Sequence, residues 1–252
     1  MPVLAVIPAR YASSRFPGKP LALLGDKPVI HWVWDNVSSL SAIDKVVVAT
    51  DDSRIFSTVN EFGGCAMMTS PSHRSGTDRC GEVLRTLSLQ GCSFDIVINV
   101  QGDEPFVRHQ QLSALINAFD SDEVQIATLC KRISDVQELL SPNNVKVVAD
   151  KMGNALYFSR QPIPFVRGID ASHWLDNAQY YKHLGIYAFR ASVLPQLVAL
   201  PQSPLEISES LEQLRWLENG FRIALRETDV ENVGIDTPDD LVAAARLLPS
   251  LL

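Results

Sequence analysis

The sequence predicts an α/β fold, an open, mostly parallel twisted sheet with helices on both faces and an inserted smaller antiparallel lobe. Three observations lead to it. Strand-like runs (residues 3–7, 45–50 and 96–100) alternate with segments whose apolar residues recur at helical spacing. The first and last of these runs end abruptly in charged residues, as strands do at the ligand-binding edge of such a sheet. From about residue 133 the alternation loosens, and two strand-like runs flank the turn DKMGN. The 252 residues read as one domain over 1–252, with the inserted lobe at about 133–190.

In order along the chain, Val3 to Ile7 reads as a buried first strand, and PARYASSRFPGKP (8–20) as the loop at its carboxyl end. Pro8, Pro17, Gly18 and Pro20 exclude a regular helix there, because proline fixes φ and lacks a donor while glycine favours turns. Helix 28–40 carries Val29, Val33, Val37 and Leu40 on one face. KVVVAT (45–50) is a strand, Asp51 and Asp52 start a helix over 53–62, and Gly63 and Gly64 end it before a short strand at 65–68. This β-α-β-α-β order implies right-handed crossovers. HRSGTDR (73–79) leads into a helix over 77–89, and strand 96–100 ends in Gln101, Gly102, Asp103 and Glu104. A helix over 109–119 and a strand over 124–130 follow. In the lobe, 145–149 and 155–159 read as strands and 161–182 as a long loop rich in aromatic residues. A strand at 183–189, a short helix at 191–200 and one helix over 204–219, burying Ile207, Leu211, Leu214 and Leu217, come next. A strand at 221–226 and an extended run at 233–236 precede a terminal helix that Thr237 caps.

Composition excludes several classes. With 46% hydrophobic and 20% charged residues the chain folds, and its formal charge of −7 argues against nucleic acid and anionic membrane as partners. Cys65, Cys80, Cys92 and Cys130 show no CxxC spacing, so zinc and redox dithiol sites are not indicated. Neither a signal-type segment nor a run long enough to span a bilayer stands out, and a cytoplasmic location is expected.

The chemistry gathers at two strand ends. Arg10, Arg15 and Lys19 fall within ten residues, and guanidinium and ammonium groups in a loop suit a polyphosphate. GxGxxG is lacking, and Gly18-Lys19 has no earlier glycine at Walker A spacing, so recognition rests on side-chain charge. Asp103, at the same expected edge, suits Mg²⁺, which takes one or two carboxylates plus phosphate oxygens. Asp236 in VGIDTPDD is either a second metal carboxylate or the start of the terminal helix. Two such aspartates would serve metal-assisted phosphoryl or nucleotidyl transfer. His31 and His109 lie on helices, and His73 and His183 sit near loop or strand ends, but no metal-type pairing appears. No GxSxG or Cys-His arrangement marks a covalent nucleophile. Glu206, Glu209 and Gln213 share a face of the expected 204–219 helix.

PARYASSRFPGKPL, HRSGTDR, NVQGDEP, NNVKVV, ALYFSRQPIP, KHLGIYAFR, PLEISESLEQLRWLENG and VGIDTPDDL, in this order, closely resemble the CMP-Kdo synthetases, the 3-deoxy-manno-octulosonate (Kdo) cytidylyltransferases. The resemblance runs from residue 3 to about 242 and is least in 168–181. It implies a Rossmann-like nucleotidyltransferase fold and an Mg²⁺-dependent reaction of CTP with Kdo to CMP-Kdo and pyrophosphate, feeding lipopolysaccharide assembly, in a homodimer. It assigns Arg10, Arg15 and Lys19, with Asp103, to catalysis, and Arg10, Arg15, Lys19, Ser75, Gly76, Thr77 and Arg79 to the nucleotide. Asp103 and Asp236 match the Mg²⁺ ligands, and Gln101, Arg167, His183, Tyr187, Glu212 and Gln213 the sugar-acid positions. On the 204–219 helix the resemblance selects Glu212 rather than Glu209 beside Gln213. A CMP-sialate type of cytidylyltransferase and a catalytically silent CTP-binding protein are the alternatives.

Overall fold

A computed structural model describes residues 1–13, 15–231 and 233–248; position 14 of the expected 8–20 loop lies outside them. The chain forms two compact units, Met1–Ser113 with the segment after Glu231, and Ala114–Glu231. The lobe expected at about 133–190 falls within the second.

The first unit opens with β1 (Val3–Ala9), followed by a 3₁₀ turn at Lys19–Leu21 and a two-stranded ribbon of β2 (Leu23–Leu24) and β3 (Lys27–Pro28). Helix α1 (Val29–Ser38), β4 (Lys45–Thr50), α2 (Ser53–Glu61), β5 (Ala66–Met68), α3 (Gly76–Leu89), β6 (Ile96–Asn99) and α4 (His109–Asn117) continue it. Strands β6, β1, β4 and β5 pair in that spatial order, all parallel, with Val6 opposite Asn99 and Ile7 opposite Val48. The run Val3–Ile7 is buried throughout, which explains why β1 is a continuous apolar strand. From β1 the chain steps outward through β4 to β5, then returns across the sheet to β6. Right-handed crossovers therefore put α1 and α2 on one face and α3 on the other, and make the β1/β6 junction a topological switch point.

The second unit contains β7 (Ile126–Arg132), α5 (Val136–Leu140), β8 (Lys146–Ala149), β9 (Ala155–Ser159), α6 (Trp174–Asn177) and β10 (Tyr181–Arg190). It continues through α7 (Leu194–Val198), α8 (Pro204–Glu209), α9 (Gln213–Glu218) and β11 (Ile223–Glu227). Here β10 pairs antiparallel with both β7 and β8, β8 pairs antiparallel with β9, and β11 runs parallel to β7. The terminal α10 (Pro238–Leu247) returns the chain to the first unit.

Two expectations need correction. The long loop at 161–182 contains a 3₁₀ turn at Ala171–His173 and α6, and Trp174 and Tyr180 pack with Ile133 and Leu139 into a small apolar cluster. The single helix over 204–219 is broken at Ser210, whose φ is 53°. Arg160 binds the end of α8 at this point. Its Nε donates to the Glu209 carbonyl at 2.7 Å, while Ser159 Oγ and the Arg160 amide donate to the Glu209 carboxylate. Ile207, expected inside, is exposed, whereas Leu211 and Leu214 are buried.

Candidate active site

The first unit contains a cavity at the β1/β6 switch point. Arg10, Arg15 and Lys19 from the loop after β1 line it, together with Ser75, Gly76 and Arg79 from the start of α3, Gln101 and Asp103 from the loop after β6, and Asp236. Thr77 is buried inside the first turn of α3 and is not part of the lining. Five Arg or Lys side chains (Arg10, Arg15, Lys19, Arg74, Arg79) face two carboxylates, so the lining favours an anion.

Its geometry follows from local structure. Ser75 caps α3 by accepting the Asp78 amide on Oγ, and the Asp78 carboxylate accepts the Ser75 amide in return. The helix thereby begins at the cavity wall, with the positive end of its dipole turned to whatever binds there. Arg79 is buried and fixed, donating to Asp51 and to Thr69 Oγ1 at 2.6 Å each. Gly102 allows the β6 loop to lie against β1, because a Cβ there would come within 2.7 Å of the Pro8 carbonyl oxygen.

Asp236 reaches Asp103 by a backbone route. The Ile235 amide donates to the Asp103 carbonyl at 2.9 Å, and Ile235 and Phe106 share an apolar cluster with Leu24, Val29 and Ala244. The capping alternative for Asp236 is settled by Thr237, whose Oγ1 accepts the Asp240 amide, while the Asp240 carboxylate accepts the amides of Asp236 and Thr237. The Asp236 side chain is thus left to the cavity. Lys19 Nζ donates to Asp103 Oδ2 at 2.5 Å and to Asp236 Oδ1 at 3.0 Å, and Arg15 pairs with Asp236 Oδ2 at 3.0 Å. Two carboxylates converging on one cation form a hard-oxygen donor set, and with phosphate oxygens they fit Mg²⁺.

Sequence reasoning did not assign Arg74 to the site, although it lines the cavity next to His73. Its position inside HRSGTDR was the available signal. The His73 imidazole is held by Glu82, which also accepts the Ser70 amide at 2.9 Å and is kept below the usual carboxylate range by these hydrogen bonds against the opposing effect of burial.

Four of the residues expected at the sugar acid lie in the second unit, on β10 and at the start of α9. His183 Nε2 shares a 3.0 Å hydrogen bond with Thr128 Oγ1, and burial pushes its imidazole down to about 3, so that it is neutral. Its ring lies 5.2 Å from that of Tyr187. Burial, reinforced by the Glu212 carboxylate, raises the Tyr187 phenol well above its ordinary value. The Tyr187 hydroxyl and Gln213 Nε2 are buried with no partner among the described residues, an uncommon state for polar atoms and one that a polar ligand would relieve. Glu212 pairs with Arg215 at 3.2 Å, and Arg167 is exposed in the segment between β9 and α6. Among the described residues, no helix is long and apolar enough to cross a membrane.

Residues 4–225 match the family model described as Cytidylyltransferase. The 3-deoxy-manno-octulosonate cytidylyltransferase of Phocaeicola vulgatus is 51% identical over 251 residues, covering 98% of each chain. The enzyme of the same description from Thermodesulfovibrio yellowstonii is 49% identical, again over 98% of each. Among solved structures, a CMP:2-keto-3-deoxy-manno-octonic acid synthetase complexed with CTP superimposes with a TM-score of 0.91 at 42% identity over the full length of both chains. A 4-diphosphocytidyl-2C-methyl-D-erythritol synthase from Anaerococcus prevotii, 16% identical over 98% of this chain and 96% of its own, shares the fold at a TM-score of 0.62. On sequence and structure together, the chain belongs to the cytidylyltransferase family, among the 3-deoxy-manno-octulosonate cytidylyltransferases.

Proposed function

We propose that the protein transfers the cytidylyl group of CTP to 3-deoxy-manno-octulosonate, releasing pyrophosphate and forming CMP-Kdo. The observation that carries this reading is the meeting of Lys19, Asp103 and Asp236 in a cation-lined cavity at a switch point. Such a cavity suits the triphosphate of a nucleotide.

In this reading Arg10, Arg15 and Lys19 bind the phosphate chain, the amino end of α3 at Gly76 turns backbone donors to it, and Ser75 lines the wall beside it. The anomeric hydroxyl of the sugar acid attacks the α-phosphorus in line. Charge then builds on the α-phosphate and on the departing pyrophosphate, where the fixed cations stabilise it. Asp103 and Asp236 would hold Mg²⁺, which supplies Lewis-acid neutralisation of phosphate oxygens and acidifies a bound hydroxyl. Lys19 pairs with those same carboxylates. Its ammonium therefore holds the two carboxylates within reach of one another.

For the sugar acid we assign His183, Tyr187, Glu212 and Gln213, with Arg167 for its carboxylate. The unpartnered Tyr187 hydroxyl and Gln213 amide support the assignment, since a polyhydroxy ligand offers partners to both. A homodimer and a cytoplasmic setting complete the reading, both by resemblance to the family.

The test is pyrophosphate release from CTP with and without Mg²⁺, using Kdo and a nine-carbon sialic acid as alternative acceptors. Mg²⁺-dependent turnover with Kdo is expected. Turnover with the sialic acid alone would reassign the acceptor, and turnover with neither would overturn the reading.

A further inference from the structure

Tyr11 lies in the cationic loop, but unlike its neighbours Arg10 and Ser13 it does not line the cavity. Its contacts run elsewhere. The Tyr11 carbonyl accepts the Gly18 amide at 2.9 Å, which closes residues 11–18 into a loop immediately before Lys19. Gly18 has a φ of 73°, and a Cβ built on it would meet the Tyr11 ring at 3.0 Å, so the ring fills the space that the missing side chain leaves. The Arg54 guanidinium lies over the same ring, its carbon 3.3 Å from the ring centroid. Arg54 is itself fixed. Its Nε donates to Asp52 Oδ1 at 2.9 Å and its Nη2 to Asp52 Oδ2 at 2.6 Å, while its backbone amide joins the same carboxylate in capping α2.

These contacts form a chain from the rigid start of α2 to the residue before Lys19. We propose that Tyr11, held by Arg54, is a positioning residue that latches the cationic loop to α2 and so sets where the Lys19 ammonium and the arginines stand. The inference rests on the cytidylyl-transfer reading for its kinetic consequence, while its structural content is independent of it. The physical need is plain. Three cations crowded into a loop repel one another, and a loop without regular secondary structure depends on a few side-chain contacts to keep a single geometry. Preorganised charge stabilises a transition state only if it does not have to be assembled during the reaction.

The experiment compares Tyr11→Phe, Tyr11→Ala, Arg54→Ala and the Tyr11→Ala/Arg54→Ala double variant of the full chain. It reads amide hydrogen exchange over residues 10–20 in the free protein, and kcat and KM for CTP. Tyr11→Phe keeps ring, stack and backbone bond, and both readouts should stay near those of the parent. In Tyr11→Ala, faster exchange confined to this loop is expected, with kcat/KM down by as much as about a hundredfold, as a misplaced catalytic group would give. Arg54→Ala removes an exposed cation–π contact, and a drop of about two- to fivefold is expected. The drop should vanish in the Tyr11→Ala background, because both changes break one chain. Unchanged loop exchange in Tyr11→Ala, or an Arg54→Ala effect of full size in that background, would overturn the latch. If Tyr11→Ala does not fold, Arg54→Ala alone decides through loop exchange. If the parent proved inactive with CTP, exchange would still test the latch while the functional reading failed by itself.

Discussion

The ammonium of Lys19 and the carboxylate of Asp103 meet at 2.5 Å, although 84 positions separate them in the chain. The strand ends of β1 and β6 bring them together, and Asp236 joins through the backbone bond from Ile235 to Asp103. Cation and carboxylates thus form one electrostatic unit, so changing any member disturbs the rest.

Replacing Asp103 by Asn keeps shape and removes charge. Mg²⁺-dependent turnover is expected to fall to background, with thermal unfolding close to that of the parent, since Asp103 is partly exposed and not part of the core. Near-normal turnover at saturating Mg²⁺ would sink the metal role.

Lys19→Ala should cost about 3 kcal/mol of transition-state stabilisation, by analogy with removal of one oxyanion donor. The loss belongs in kcat. A rise confined to KM would mean that Lys19 binds ground state and transition state alike.

Gly102→Ala sets a methyl group within reach of the Pro8 carbonyl oxygen, 2.7 Å from an ideal Cβ. The two loops must separate, carrying Asp103 away from Lys19. A fall in kcat/KM of about a hundredfold is expected for displacement on the order of 1 Å. Unaltered kinetics would show that the loops give way without moving the site.

His183 supplies the pH dependence. Its folded pKa is depressed to about 3 by burial, while in the unfolded chain it titrates near the ordinary imidazole value of 6.5. Below the unfolded value the unfolded state binds the extra proton, so stability falls with decreasing pH, by at most about 1.4 kcal/mol per pH unit, until the folded pKa is reached. Above the unfolded value this contribution is level. Denaturant melts of the parent and of His183→Asn between about pH 7 and about pH 4 should show the variant losing less stability on acidification. Parallel curves would contradict the depressed pKa.

Lys146 is wholly buried on β8 and donates to the carbonyls of Ser141, Asn144 and Arg160. Lys146→Met would leave these acceptors unpaired, at a cost of about 3 kcal/mol in unfolding free energy. A variant as stable as the parent would show that the carbonyls find other donors.

By itself the sequence determined the alternation of β1, α1, β4 and α2, because apolar runs and helical spacing are local signals, and it determined which residue types stand at the strand ends. Proline and glycine placed the cationic loop, and Thr237 marked the start of α10. Tertiary structure decided what local periodicity cannot carry. The 204–219 helix breaks at Ser210, where the Arg160 side chain, 49 positions before Glu209, takes the Glu209 carbonyl, a contact that local spacing does not announce. Asp236 lines the cavity rather than capping a helix because Thr237 and Asp240 make the cap and the bond from the Ile235 amide to the Asp103 carbonyl sets its place. Arg79, cationic by sequence, is paired and fixed inside the fold by Asp51. Each of these outcomes depends on partners distant in the chain, whose meeting follows from strand order and burial.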